Sequence, residues 1–178
     1  MTTTTITTTL NGLTTGTWAI DPTHSELGFV ARHLMVSKVR GSFADVSGTV
    51  EVAEEIAQSA ANVSIRTASV ATGTADRDAH LRGEDFFDVE QFPEMTFVST
   101  SFDGGTLTGD LTIKGITKPL TFPATVTVSN GQLTASGNMS VDRTKYDVRY
   151  GSKSFFNDIG DKAISDEMVF NVSVVAKK

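Results

Sequence analysis

The chain has 178 residues, 39% of them hydrophobic and 20% charged, with a net charge of −6 from 15 basic and 21 acidic residues. That length suits one domain, and the composition argues against wholesale disorder and against membrane spanning. The acidic balance argues against nucleic acid, whose affinity rests on phosphate neutralisation, and the lack of cysteine removes disulfides, thiolate metal sites and thiol catalysis.

Residues 1–16 form a Thr-rich arm of low complexity, expected to be loose or to pair as an edge strand. The arm has neither the basic n-region nor the apolar h-region of a secretory signal, and no lipobox cysteine, so a cytoplasmic location is expected. Residues 17–178 show no internal repeat or linker and read as one domain.

From Trp18 onward the dominant period is two. Leu27, Phe29, Ala31 and His33 share one face, and Val46, Gly48, Val50 and Val52 repeat the pattern, followed by Val63 and Ile65. Met95 and Phe97 come next, then Leu107, Gly109, Leu111 and Ile113, and then Leu120 to Val128. Leu133, Ala135, Gly137, Met139 and Val141 follow, and the last run holds Met168, Phe170, Val172 and Val174. Eight runs, each with one apolar face, indicate an antiparallel sheet buried on one side. Asp103-Gly104-Gly105, Lys114-Gly115 and Asn130-Gly131 mark tight hairpins, so residues 96–141 should form a meander.

Two segments break the period. Residues 74–90 predict a short helix, near 75–88, with Thr74 or Asp76 as N-cap and Gly83 or the loop before Pro93 as its end. Its charges (Arg77, His80 and Arg82 among Asp76, Asp78, Glu84 and Asp85) suggest local ion pairs holding a helix over the barrel, or cations meeting a ligand's polar head. Phe86 and Phe87 belong to core or lid in either case. Residues 142–165 form a long polar connection, a length more often functional than accidental, as a lid or a dimer contact.

Glycines inside the runs (Gly28, Gly48, Gly109, Gly137) suit strands bent around a closed barrel rather than a sandwich. Large inward residues alternate with small ones. The small ones either leave room for a ligand or taper a packed barrel.

Imidazole can come only from His24, His33 and His80. His24 and His33 fall on opposite faces of one strand, their spacing matches no zinc pattern, and no metal site is expected. His33 points inward, as a core histidine or as a polar handle on a ligand. Ser25 beside His24 lacks the Gly-x-Ser-x-Gly elbow of a hydrolase. The pairs Asp85/Asp88 and Asp158/Asp161 lack the ligand density of a calcium loop. Nothing assembles into a catalytic constellation, so a binder is expected.

At several of these places the chain resembles the YceI-like family of polyisoprenoid-binding, lipocalin-like proteins. The shared stretches are Trp18-Ala-Ile-Asp21 through Phe29, Arg32-His33-Leu34, Arg77-Asp-Ala-His80 through Asp88, and Phe92-Pro93 through Phe97, with Thr108-Gly109 through Pro119 and Arg143-Thr-Lys-Tyr146. The resemblance runs from Trp18 to Lys177. It implies an all-β, eight-stranded antiparallel barrel that binds a long isoprenoid, a polyprenyl chain or a quinone tail, without catalysis and as a homodimer, and a transient membrane contact is expected. Motif polar residues carried over are His24, His33, Arg77, His80 and Asp85. The expected ligand contacts are His33, Arg77 and His80 at the polar end. Leu27, Phe29, Val50, Ile65, Phe97, Leu111, Phe122, Met139 and Phe170 are expected along an apolar tube. Many members of the family are exported, which this arm does not suggest. An enzyme of isoprenoid or quinone metabolism, with His33 or His80 as acid–base residue, and an empty interaction module are the alternatives.

Overall fold

The alternating runs form one antiparallel sheet, seen in a computed structural model that describes residues 13–33, 37–156 and 163–178. Its strands are β1 (Gly16–Ile20), β2 (Glu26–His33), β3 (Ser37–Phe43), β4 (Val46–Val52), β5 (Ala60–Arg66) and β6 (Val70–Ala71). After helix α1 (Ala75–Arg82) come β7 (Glu94–Phe102), β8 (Thr106–Ile113), β9 (Ile116–Ser129), β10 (Gln132–Asp142) and β11 (Glu167–Lys177). Residues 1–12 of the Thr-rich arm and Asp158 and Asp161 lie outside the described residues. Leu13 packs on the core, and Thr14 offers its carbonyl to the indole N–H of Trp18 at 3.0 Å.

Eight strands close the barrel in the order β1-β4-β5-β7-β8-β9-β10-β11, with Ile20 of β1 pairing back onto Ala176 of β11. The remaining three strands extend this ring at one end. β2 continues β1 after a 3-10 turn at Pro22–His24, β3 runs into β4, and β6 continues β5 after a turn at Thr67–Ser69. Three long rungs thus bend at one level, and the extension β11-β2-β3-β6 flares outward. On the other side β10 pairs with β9 only from Gln132 to Gly137, so these two strands also part toward the same end. Seven of the expected eight runs are ring strands, β4, β5 and β7 to β11, and the first, Leu27 to His33, is β2 of the extension. β1, β3 and β6 went unseen because they are short or, like Ser37–Phe43, carry Lys38, Arg40 and Gly41 in place of an apolar alternation.

The hairpin signals behave as expected. Lys114-Gly115 and Asn130-Gly131 both take left-handed backbone, which only such pairs adopt cheaply. The Asp103 carboxylate accepts from the N–H groups of Gly105 (2.8 Å) and Thr106 (2.6 Å), which holds its pKa below the usual carboxylate value. β7 to β10 are the predicted meander.

Trp18, Phe43, Met95 and Phe170 are among the most deeply buried side chains. The inward glycines do not leave the room that small residues suggested. A Cβ on Gly109 would stand 2.4 Å from the Phe97 ring, and one on Gly137 would stand 2.9 Å from the Phe122 ring. Aromatic rings have taken that space.

Candidate functional site

The flare leaves a chamber of about 580 Å³ beneath α1, within the range of roughly 300–1,000 Å³ typical of ligand pockets. Phe29, Ala31 and His33 reach it from β2, Val39 from β3, Ile113 from β8, and Met168 and Phe170 from β11. Where β9 and β10 part, Arg143, Tyr146, Val148 and Tyr150 close the wall, and α1 with the turn after it contributes Asp76, Arg77, His80, Leu81, Phe86 and Phe87. Two smaller cavities of about 90 Å³ each continue along the barrel toward Trp18's end. Phe170 borders the chamber and the first of these, and Val50, Ala61, Leu107, Ala124 and Ala135 border both small ones. The three form a line: a wide polar-rimmed room, then a narrow apolar bore.

α1 has eight residues, half of them charged, and is too short to be stable on its own. Side chains fix it instead. The Asp78 carboxylate accepts from the backbone N–H of Thr72 (2.8 Å) and from its hydroxyl (2.5 Å), and Arg77 donates to the Thr72 hydroxyl at 2.8 Å. Arg82 donates to the carbonyls of Ala68 and Val70, both at 3.1 Å, and so covers the free edge of β6. This corrects the expected ion-pair cluster. Among the described residues, His80 meets a carboxylate, Asp85 at 2.9 Å, while Arg77 and Arg82 bond neutral oxygens. Thr74 is the N-cap residue, though its hydroxyl accepts from Arg77 rather than from the helix, and Gly83 ends it.

Beyond Gly83 the chain turns twice and buries Phe86 and Phe87. Phe87 meets Phe43 edge-on with ring centres 5.2 Å apart. His80, Phe86 and Tyr150 form an aromatic triangle with centres 4.7–5.3 Å apart, which joins α1 to the opposite wall.

Arg143 is the site's most buried cation, 3% exposed. Its guanidinium donates to the carbonyls of Ser165 (2.9 Å), Val148 (2.9 Å) and Ile164 (3.1 Å), so both ends of the 142–165 connection hang on it. Burial lowers its basicity and the nearby Asp166 and Asp142 charges raise it again. Burial likewise pushes the Tyr146 phenol up. The Asp166 carboxyl is raised by burial, but hydrogen bonds from Ser152 and Ser154 and the charge of Arg143 outweigh that and hold it low.

His33, Arg77 and His80 therefore stand together on the chamber wall. Of the apolar positions read from the sequence, Phe29 and Phe170 reach the chamber, and Leu27, Val50, Ile65, Phe97, Leu111, Phe122, Met139 and again Phe170 line the bore. His24 and Asp85 lie elsewhere. His24 bonds Asp21 at 2.8 Å on the outside, where that contact and Lys177 hold the Asp21 carboxyl far below its ordinary value, and Asp85 is spent on His80. Ser25 is buried and accepts from the N–H of Val175 at 3.0 Å. Among the described residues no three His, Asp or Glu side chains gather as a metal site. The periodicity missed Arg143, Tyr146, Val148 and Tyr150, because they lie on an irregular segment with no strand pattern. Their only signal was the Arg143-Thr-Lys-Tyr146 motif and the length of that segment.

The family model of the YceI-like domain matches residues 18–176. The chain belongs to the YceI-like family. The YceI protein of Escherichia coli O157:H7 is 34% identical over 160 residues, which cover 87% of this chain and 83% of that one. Among solved structures, BcnA of Burkholderia cenocepacia is similar with a TM-score of 0.77 at 28% identity, over 89% of this chain and 99% of that one. A polyisoprenoid binding domain from Saccharophagus degradans shares the fold, with a TM-score of 0.72 at 16% identity, over 90% of this chain and 97% of that domain. The YceI-like barrel thus covers all but the ends of the chain.

Proposed function

We propose that this protein binds a long-chain isoprenoid lipid, of polyprenyl or isoprenoid-quinone type, and stores, shields or carries it unchanged. The observation that carries this reading is the line of three cavities, 580, 90 and 90 Å³, running from a polar-rimmed chamber into an apolar bore. A prenyl tail is nearly all hydrocarbon, and burying it is worth roughly 25 cal/mol per Å², so apolar walls need no directional contacts. The head group belongs in the chamber, where His33, Arg77, His80 and Arg143 supply donors to phosphate or carbonyl oxygens. The fold shared with a polyisoprenoid binding domain supports the same ligand class.

Mass spectrometry of the purified protein, native and after organic extraction, tests the proposal. A stoichiometric species with isoprene mass spacing is expected. A protein that stays empty after incubation with polyprenols and isoprenoid quinones refutes it, and chemical alteration of a bound lipid that is lost in His33→Ala or His80→Ala turns the carrier into an enzyme.

A further inference from the structure

We infer that the segment from Tyr150 to Phe156 is a docking face for an anionic phospholipid surface, placed so that the chamber mouth opens against the bilayer. Among the described residues the large hydrophobic side chains left most exposed are Val98, Tyr150, Phe155 and Phe156, at 44%, 45%, 48% and 50%. Three of these four lie within seven residues of each other, and one of them, Tyr150, also lines the chamber. Exposed aromatics at the rim of a cavity have the form of side chains that settle into a headgroup layer.

The exposure is built. Ser152 is fully buried and donates to Asp166 at 2.5 Å, Ser154 donates to the other carboxylate oxygen at 2.5 Å, and the N–H groups of Phe155 and Phe156 both reach the Ser152 carbonyl. A turn pinned this firmly leaves its two phenylalanines about half in water, at a cost in unburied apolar surface. Such a cost implies something that covers them.

Charge selects the occupant. In a chain of net charge −6, residues 143–156 hold three exposed basic side chains, Lys145, Arg149 and Lys153, and one acid, Asp147, besides the buried Arg143. Asp147 is met by Arg149 at 3.5 Å and Lys114 at 3.9 Å, and Asp166 faces the serines. Arg149 lies over the Phe155 ring at 4.6 Å, which places cation and aromatic together, and Lys153 is exposed beside them. The adjoining outer groove of β2, β3 and β11 adds Arg32, Lys38 and Arg40 against the single carboxylate of Glu167. Cations flanking exposed aromatics fit phosphatidylglycerol-like headgroups, each basic residue near the surface contributing about a fivefold gain in partition.

This docking face rests on the proposed cargo for its purpose, since a lipid carrier must meet a membrane to load, but it is tested without cargo. Flotation with vesicles of phosphatidylcholine alone and of phosphatidylcholine with phosphatidylglycerol is the experiment. Binding is expected only with phosphatidylglycerol, weakened by added salt, about fivefold weaker in Lys153→Gln and lost in Phe155→Ser/Phe156→Ser of unchanged circular dichroism. Binding that is absent, indifferent to phosphatidylglycerol, or intact in both variants overturns the docking face even where extraction finds an isoprenoid in the barrel. Light scattering that shows the double variant splitting a dimer assigns the patch to a second copy of the chain and overturns it as well.

Discussion

The ring of Phe29 occupies the space over Gly41, its direct partner across the β2–β3 ladder: a Cβ on Gly41 would stand 2.4 Å from Phe29 Cζ and 2.8 Å from Thr72 Cγ2. The rings of Phe97 and Phe122 likewise cover Gly109 and Gly137, though from diagonal rather than directly paired positions. Gly41→Ala should therefore destabilise the barrel by about 1–3 kcal/mol through overpacking. Combined with Phe29→Leu, the loss should be smaller than the sum of the two single changes. Urea unfolding of the four proteins measures this, and a neutral Gly41→Ala would mean that the ring swings aside freely.

The open space lies at the alanines. Ala31 faces the chamber and Ala135 faces both small cavities. Ala31→Phe is expected to leave the melting temperature within a few degrees while abolishing isoprenoid uptake. Ala135→Phe should admit only shorter chains. Extraction and mass spectrometry after incubation with polyprenols of graded length read both outcomes, and full-length uptake by Ala135→Phe would mean that tails stop in the chamber.

Arg143→Met should cost about 2–4 kcal/mol, because three carbonyls, those of Val148, Ile164 and Ser165, lose their donor beside an apolar chamber. Arg143→Lys should recover only part of this, since one ammonium cannot reproduce the fork that serves three acceptors. Denaturant midpoints of the two variants decide it.

Acid should loosen the 150–156 turn before the barrel. The Asp166 carboxyl sits below its ordinary 3.8, so its contribution is fully present above that value and is lost as pH falls through the lower folded value. Asp166→Asn is expected to weaken the turn at neutral pH and to remove its acid dependence. Hydrogen exchange at residues 152–156, followed from pH 6 to below 3.8, should show about the same protection throughout in the variant, against a loss in the parent that sets in below 3.8.

Arg82→Ala uncovers the carbonyls of Ala68 and Val70 at the β6 edge and frees one of the fastenings of α1. Faster hydrogen exchange is expected in residues 75–82, with the strands of the closed ring unaffected. Equal speeding across β7 to β11 would show that the helix and the barrel unfold as one unit.

How much of this was legible beforehand follows from which forces act locally. Alternation marks burial on one face, so seven of the eight ring strands, β2 and the apolar lining from Leu27 to Phe170 could be read directly, as could Asn130-Gly131, whose backbone angles few other pairs adopt. Ala31 and His33 were also placed inward by register alone. The bends at Pro22–His24 and Thr67–Ser69 could not be read, because they arise where rungs trade partners, and partner exchange leaves no periodic trace. The same holds for Arg143, whose three acceptors lie five to twenty-two residues away, and for Arg82, whose value comes from an edge strand of two residues. Charges were misread for a related reason: proximity in sequence pairs Arg77 and Arg82 with Asp76 and Glu84, whereas the fold offers them carbonyls and hydroxyls.

The bent rungs have a consequence for how such a barrel can change. Ladder hydrogen bonds run around the closed ring, but the walls of the wide end along β6 and between the parted β9 and β10 are made by α1 with its following turn and by residues 143–150. Under the proposed function, holding a tail and admitting one fall to separate stretches of chain. Insertions, deletions or substitutions in the two irregular segments can reshape the doorway without shifting a single strand register, so that one rigid sleeve can serve a succession of differently headed cargoes.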